Sequence, residues 1–342
     1  MEASLDKSLA LAQARGWEAG RLGWEECRQL ISAVRHARVC RPDLIRAFGR
    51  YLLDHHASRL GTELWVTYEQ VMLALLQYGK LGKNEAGSDA IPDDLKAAQK
   101  YGNTLSAQFP DSLRVKRLDG MLWEAKGMYD MAMKEYEEIL AEDPNNILAI
   151  KRQIAICRAR GKTNEAASRL VKYLDTVCSD AEAWLQLAAI YLNAQQFKRA
   201  AFCMEELIMI NPMSYLYHLR YAEIMYTIGS SDKGGGTEQL RIARKYYAHS
   251  LDLKPSNNLR AVYGLLLTSA ALGPSTAKGS KVCLLCEQYS TDRPSSKTRR
   301  GSSKGDNAEV FTFARTQLID CYANIPGPMA KMVKGMLATL LE

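Results

Sequence analysis

The fold is decided by residues 181–212, which read AEAWLQLAAIYLNAQQFKRAAFCMEELIMINP. The small residues Ala188 and Ala200 allow two helices to approach closely, while large side chains such as Trp184 fill the space around them. Pro212 ends the second helix because its ring clashes with the preceding turn and it lacks an amide donor. This stretch therefore predicts a pair of antiparallel helices.

The same spacing recurs along the chain with a period of 34 residues. The residues on this ladder are Pro110, Pro144, Cys178 and Pro212, and the alanines twelve residues before them are Ala98, Ala132, Ala166 and Ala200. A period of this length is the signature of tetratricopeptide (TPR) helical hairpins. We therefore predict an all-α fold, a TPR-type right-handed helical solenoid with helical caps.

The repeat register divides the chain into four predicted segments. Residues 1–61 form an N-terminal helical cap, and residues 62–273 form the TPR solenoid. Residues 274–308 form a basic low-complexity insertion, and residues 309–342 supply C-terminal helices that close the solenoid.

The predicted insertion concentrates much of the positive charge. Between Lys278 and Lys304 there are seven basic and two acidic residues. This stretch therefore carries a net charge of +5, out of +7 for the whole chain. A solvated loop is the favoured interpretation, and contact with anionic lipid or RNA phosphates, or a nuclear address, stays open. Cys283 and Cys286 could be half of a zinc site, but no second ligand pair follows them, so no metal is predicted.

Neither a catalytic centre nor a cofactor site is indicated by the motifs. His55 and His56 have no nucleophile or acidic cluster at a recognisable spacing, and Gly234–Gly236 lacks the Lys-Ser/Thr of a phosphate loop. The N-terminus does not look like a signal peptide, and no stretch reaches the ~20 apolar residues that span a membrane. We predict a non-enzymatic protein without cofactors, whose membrane association is indirect.

The first helices of TPR hairpins line a groove that binds partner segments. The predicted groove residues are Arg114, Arg117, Lys151, Arg152, Arg158, Gln186, Leu219 and Tyr226. The first half of this groove is net basic and the second half is mixed, which suits a segment with acidic and apolar ends. A merely solvated basic face remains the alternative, and nucleic acid is not expected as a partner.

A dicarboxylate clamp, as in chaperone-binding TPR domains, is excluded residue by residue. That clamp needs Lys, Asn, Asn, Lys and Arg at five positions of three consecutive repeats. The residues at those positions are Arg117, Met121, Arg152, Glu182 and Gln186. The pattern therefore argues against a co-chaperone of this type.

Several strings carry a more specific resemblance, and two of them, WVTYEQVM at 65–72 and RVKRL at 114–118, are not TPR consensus. The strings are GWEE at 23–26, LWVTYEQVM at 64–72, FPDSLRVKRL at 109–118, YEEILAEDPN at 136–145 and AAFCMEEL at 200–207. The chain resembles the family of subunit 2 of the endoplasmic reticulum (ER) membrane protein complex from about Trp24 to Leu272, and more weakly from Glu309. It departs from the family in longer loops at 81–91 and 230–237 and in the basic insertion.

The resemblance implies a non-catalytic scaffold on the cytoplasmic face of the ER. Its implied partners are the cytosolic parts of membrane-embedded subunits and one soluble cytosolic subunit of a complex that inserts transmembrane segments. A free cytosolic TPR adaptor for another assembly is the alternative function.

Overall fold

The described part of the chain is entirely helical apart from turns and connections. In this computed structural model the described residues are 2–14, 16, 22–81, 93–231, 236–272 and 305–323, together with 332 and 335. No strand occurs in these ranges, which confirms the predicted all-α class. The chain divides into two compact units, unit 1 (Met1–Ala166) and unit 2 (Ala167–Glu342).

Unit 1 begins with short helices that have a core of their own. They are α1 (Glu2–Ala14), α2 (Trp24–Ala37), α3 (Pro42–Leu44) and α4 (Arg50–His56), with a π-helical segment, Ile45–Gly49, between the last two. The side chain of Glu26 accepts a hydrogen bond from the backbone N–H of Gly23 at 2.9 Å, so it satisfies a donor at the start of α2. Cys27, Leu30, Phe48 and other apolar residues form the small core.

In unit 1, the helices that begin at Leu113 and Ile147 start at the residues that the period predicts, whereas the earlier hairpin, which begins at Leu64, does not start on the 34-residue register. The helices are α5 (Leu64–Leu81), α6 (Asp93–Gln108), α7 (Leu113–Ala125), α8 (Tyr129–Glu142) and α9 (Ile147–Ala159). Helix α5 packs on α6, and α7 packs on α8. Ala132 of α8 is fully buried, as expected for a close contact between helices. Asn146 caps α9, because its side chain accepts a hydrogen bond from the amide of Ala149.

Helix α10 (Thr163–Thr176) contains the division between the units, and unit 2 continues the hairpins. Its remaining helices are α11 (Ala181–Asn193), α12 (Phe197–Ile210), α13 (Tyr215–Ser231), α14 (Thr237–Leu253), α15 (Leu259–Leu272) and α16 (Gly305–Ala323). The side chain of Asp180 accepts hydrogen bonds from two backbone amides at the start of α11, so it is a full N-cap. Ala188 and Ala200 are buried between α11 and α12 as predicted.

A buried polar cluster attaches α16 to the two helices before it. Asn307 accepts a hydrogen bond from Nη1 of Arg244 at 2.8 Å and donates one to the backbone oxygen of Ser269 at 2.9 Å. All three residues are at least nine-tenths buried. Because buried polar groups are expensive unless paired, this cluster fixes how α16 lies against α14 and α15.

The predicted insertion falls mostly outside the described ranges. Residues 273–304, including Cys283 and Cys286, belong to that part of the chain, and so do residues 82–92 and 232–235. Within the described ranges, no group of three or more His, Cys, Asp or Glu side chains could hold a metal ion. The zinc hypothesis and the four-segment division stay predictions.

Candidate functional site

Unit 1 contains five of the eight predicted groove residues, and the structure pairs the first of them with an acid. Arg114 lies on α7, and its Nη2 is 2.7 Å from Oε2 of Glu69 on α5. The Arg114 side chain is 67% exposed, whereas that of Glu69 is 13% exposed. The guanidinium is therefore accessible to a partner, and the carboxylate that holds it is not.

Arg117, one turn further along α7, approaches the same carboxylate. Its Nη2 is 3.6 Å from Oε1 of Glu69, and its side chain is 19% exposed. Burial lowers the pKa of Arg117 from its ordinary value, while the charge of Glu69 acts in the opposite direction. One buried carboxylate thus faces two guanidinium groups, and it cancels part of the positive charge that the sequence predicted here.

Arg152 of α9 takes part in a second polar group. Its Nη1 is 3.4 Å from Oε2 of Glu124, whose side chain is 6% exposed. The hydroxyl of Tyr136 donates a 2.7 Å hydrogen bond to Oε1 of the same carboxylate, and burial raises the pKa of that hydroxyl above its ordinary range. Arg152 therefore also stabilises the packing of α7, α8 and α9, in addition to any contact with a partner.

The other two predicted basic residues of unit 1 differ in exposure. Lys151 is half-buried on α9, and Arg158 is exposed near the end of that helix. Of the five basic residues, Arg114 and Arg158 are thus the exposed pair, and a partner would reach them first.

Unit 2 contains the three remaining predicted residues, and they differ in accessibility. Gln186 on α11 and Tyr226 on α13 are half-buried. Leu219 is only 3% exposed, so its side chain belongs to the interior of unit 2 and not to its surface. The prediction of one continuous groove through all eight residues stays a prediction.

Glu69 is the functional candidate that sequence reasoning missed. It lies within LWVTYEQVM, the string that carried the family resemblance, and on a predicted first helix. The 34-residue register does not reach Glu69, because α5 begins at Leu64, 49 residues before α7 begins at Leu113. The signal that could have found Glu69 is its place on a predicted first helix, which puts it on a neighbour of α7.

Comparison with known proteins identifies the family. A family profile described as the EMC2 TPR-like repeat domain matches residues 107–231. ER membrane protein complex subunit 2-A of Xenopus laevis is 34% identical over 323 residues, which cover 93% of this chain and 95% of that protein. The chain belongs to the ER membrane protein complex subunit 2 family. A second relative of this name, from Dictyostelium discoideum, is 27% identical over 260 residues, 73% of this chain and 75% of that protein.

Structural similarity agrees with this family at the level of the fold. The C-terminal part of a TPR repeat-containing protein from Cytophaga hutchinsonii aligns with a TM-score of 0.53 at 12% identity, covering 91% of this chain and 99% of that one. This confirms the predicted TPR-type helical fold. Among the helices that the structure describes, none has the length and apolar character needed to cross a bilayer.

Proposed function

We propose that this member of the subunit 2 family is a non-catalytic scaffold subunit of the ER membrane protein complex. It would bind the cytoplasmic face of the ER membrane as a peripheral protein and support insertion of transmembrane segments. The observation that carries the proposal is the 34% identity to a subunit of that name over 93% of the chain. Similarity over the whole length favours a shared role more strongly than a shared repeat alone.

The helix surfaces of unit 1 support a role in holding other chains. Arg114 and Arg158 are exposed on α7 and α9, and cations on such a surface attract acidic segments. We propose that cytosolic parts of membrane-embedded subunits bind here, and that a soluble cytosolic subunit is a further partner. Gln186 and Tyr226 of unit 2 are proposed as additional contacts.

The direct test is purification of the tagged full-length chain from detergent-solubilised ER membranes, followed by quantitative identification of the proteins that co-purify. We expect the membrane subunits of the complex in near-stoichiometric amounts. Recovery only from the soluble fraction, with none of those subunits, would refute the scaffold proposal and favour a free TPR adaptor.

A charge-removal pair tests the surface of unit 1 separately. Arg114→Gln with Arg158→Gln removes the charge of two exposed side chains, while Glu69 keeps its contact with Arg117, so the pair should reduce recovery of the membrane subunits with little loss of thermal stability. Lys134→Gln, which removes an exposed cation on the second helix α8, is the matched control and should bind as the wild type does. Equal recovery with both variants would show that acidic segments do not bind this surface.

Arg117 and Arg152 are unsuitable for that test, although the sequence alone would suggest them. Their carboxylate partners, Glu69 and Glu124, are mostly buried. A glutamate at either position would put two carboxylates close together in a site with little water, as it would at Arg114, and a glutamine would remove a partly buried arginine that helps to hold the helices together. Loss of binding would then be hard to separate from loss of stability.

A further inference from the structure

Unit 2 has an apolar cleft that is separate from the predicted groove residues. It encloses about 510 Å³ between α10, α11 and α12. Its walls include Val171 of α10, Trp184 of α11 and Phe202 of α12. Concave apolar sites of roughly 300–1,000 Å³ are the usual size for binding a compact ligand or an anchoring side chain.

Two aromatic rings form one wall of this cleft and are held in place before any ligand binds. The indole N–H of Trp184 donates a 2.8 Å hydrogen bond to the backbone oxygen of Cys178. The ring of Phe202 meets that of Trp184 edge to face, with the ring centroids 6.1 Å apart. A fixed aromatic wall loses little side-chain entropy on binding, so it is a favourable surface for an apolar group.

The apolar wall is open to solvent and is contiguous. Phe202 is 53% exposed and Val171 is 39% exposed, although both line the same cleft. Cys203 lies behind them, and burial raises its pKa to about 12, so its thiol stays neutral and adds to the apolar floor. Exposed apolar side chains that share a concavity indicate a binding surface more strongly than scattered ones do.

The two ends of the cleft differ in charge, and one end is basic. Lys198 and Arg199 are exposed at one end, at the start of α12, where the Arg199 guanidinium lies 5.7 Å from the centre of the Tyr191 ring. Nη1 of Arg199 donates to the neutral side chain of Gln196. No acidic partner for Lys198 occurs among the residues that the structure describes. The positive charge at this end is therefore available to a ligand.

The opposite end of the cleft is acidic. Asp175 belongs to the last turn of α10, and the hydrogen bond from Tyr173 to Asp180 places the end of α10 beside the start of α11. Trp184 lies near that start, about two helical turns or roughly 10 Å from Tyr191. The two charged ends are thus separated by the aromatic wall.

We propose that this cleft binds a peptide segment of a partner protein, with an apolar side chain packed against Trp184 and Phe202 and a carboxylate at Lys198 and Arg199. Complementary charge fixes the direction in which the segment lies. Asp175 opposes a uniformly anionic ligand, so the cleft suits a peptide with one acidic end better than an anionic membrane surface.

The inference does not depend on membership of the membrane complex. Its residues lie on α10, α11 and α12, and none of them is among the groove residues used in the proposed function. Either proposal can therefore fail while the other stands.

The experiment is selection of a random twelve-residue peptide library, displayed on phage, against the immobilised full-length chain. We expect enriched peptides to combine a large apolar residue with an acidic residue toward one end. Synthetic versions of the selected peptides should bind the Phe202→Ser variant at least about tenfold more weakly than they bind the wild type. Truncating a central anchor residue has effects of this size. The double variant Lys198→Glu, Arg199→Glu should bind the same peptides more weakly. It should prefer peptides in which the acidic residue is replaced by lysine.

Two control variants distinguish binding in the cleft from non-specific apolar or electrostatic binding. Met209→Ser removes an apolar side chain that is 76% exposed on α12 but does not line the cleft, and Lys245→Glu reverses an exposed cation on α14. Both should bind the selected peptides as the wild type does. Failure to enrich any peptide, or equal binding to Phe202→Ser and the wild type, would overturn the proposal.

A lipid ligand is tested in parallel with vesicles of phosphatidylcholine containing phosphatidylserine. We expect the chain not to co-sediment with them through this cleft. Sedimentation that is lost in both Phe202→Ser and the Lys198→Glu, Arg199→Glu variant would assign the cleft to lipid and overturn the peptide proposal.

Discussion

Replacing Gly120 by alanine is expected to destabilise the protein, although alanine is the better helix former. In an α-helix the substitution alone would favour folding by about 0.8–1.0 kcal/mol. A Cβ at Gly120 would, however, lie 2.6 and 2.8 Å from two ring carbons of Tyr136. That ring is fully buried, and its hydroxyl is held by the 2.7 Å hydrogen bond to Glu124, so it has little room to move.

The steric effect should exceed the helix-propensity effect. Overpacking a filled core typically costs about 1–3 kcal/mol, and subtracting the propensity gain leaves an expected net loss of up to about 2 kcal/mol. Urea-induced unfolding of the full-length chain, followed by far-ultraviolet circular dichroism, measures this difference as a lower midpoint at an unchanged slope.

Gly102→Ala is the matched control in the same unit. This buried glycine also lies within a helix, but its Cβ would meet the terminal methyl of Met72 at 3.1 Å, a flexible group that can move aside. We expect Gly102→Ala to be neutral or up to about 1 kcal/mol more stable. Equal changes in the free energy of unfolding for the two substitutions would refute the argument that the rigid Tyr136 ring makes Gly120→Ala destabilising.

Three further predictions each follow from the burial and contacts of particular side chains. Trp184→Ala should destabilise unit 2 by about 3 kcal/mol, because it removes a large side chain that is 9% exposed and leaves the carbonyl of Cys178 without the indole donor. Burial raises the pKa of Asp119 above its ordinary value, although a hydrogen bond from Ser106 lowers it, so the folded chain binds that proton more tightly than the unfolded chain does. Stability contributed by this group therefore falls as pH rises through the folded pKa, and Asp119→Asn should stabilise at neutral pH by an amount that shrinks on acidification. Iodoacetamide at pH 8 should alkylate exposed Cys178 in the native protein and spare buried Cys203.

Each of these outcomes has a measurement that can contradict it. Thermal unfolding of Trp184→Ala at the wild-type temperature would show that the indole is dispensable for packing. A constant difference between Asp119→Asn and the wild type from pH 4 to pH 7 would exclude titration of Asp119 as the cause. Mass-spectrometric peptide mapping that finds equal alkylation of Cys203 and Cys178 would mean that α12 opens readily in the native state.

The positions of the hairpins could be predicted from the sequence because they depend on short-range rules. Helices α7, α9, α11 and α13 begin at the residues that the 34-residue register assigns, Leu113, Ile147, Ala181 and Tyr215. Small residues at fixed spacing, N-caps and prolines act within one or two turns, so a single chain displays them. The repeat type follows from the same pattern.

The electrostatics of the surface could not be predicted in the same way. Arg114 and Glu69 are 45 residues apart, and only the packing of α5 beside α7 brings their side chains together. Leu219 shows the complementary difficulty, since one helical position decides whether a leucine faces a groove or the interior. Counting charges along a register predicts how many basic side chains a helix face has. Which of them form ion pairs with acidic side chains depends on the neighbouring hairpins.

The two proposed surfaces therefore differ in what a partner must displace. On unit 1, an acidic segment that approaches Arg114 competes with Glu69, which is already 2.7 Å away. In the cleft of unit 2, Arg199 contacts the neutral side chains of Gln196 and Tyr191 and no acidic residue of the described ranges, so an incoming carboxylate breaks no ion pair there. Salt should accordingly weaken binding at both surfaces, but binding at Arg114 should gain when Glu69 is replaced by glutamine, whereas binding in the cleft should not change. A gain at the cleft from that substitution in unit 1 would show that the two surfaces are not independent.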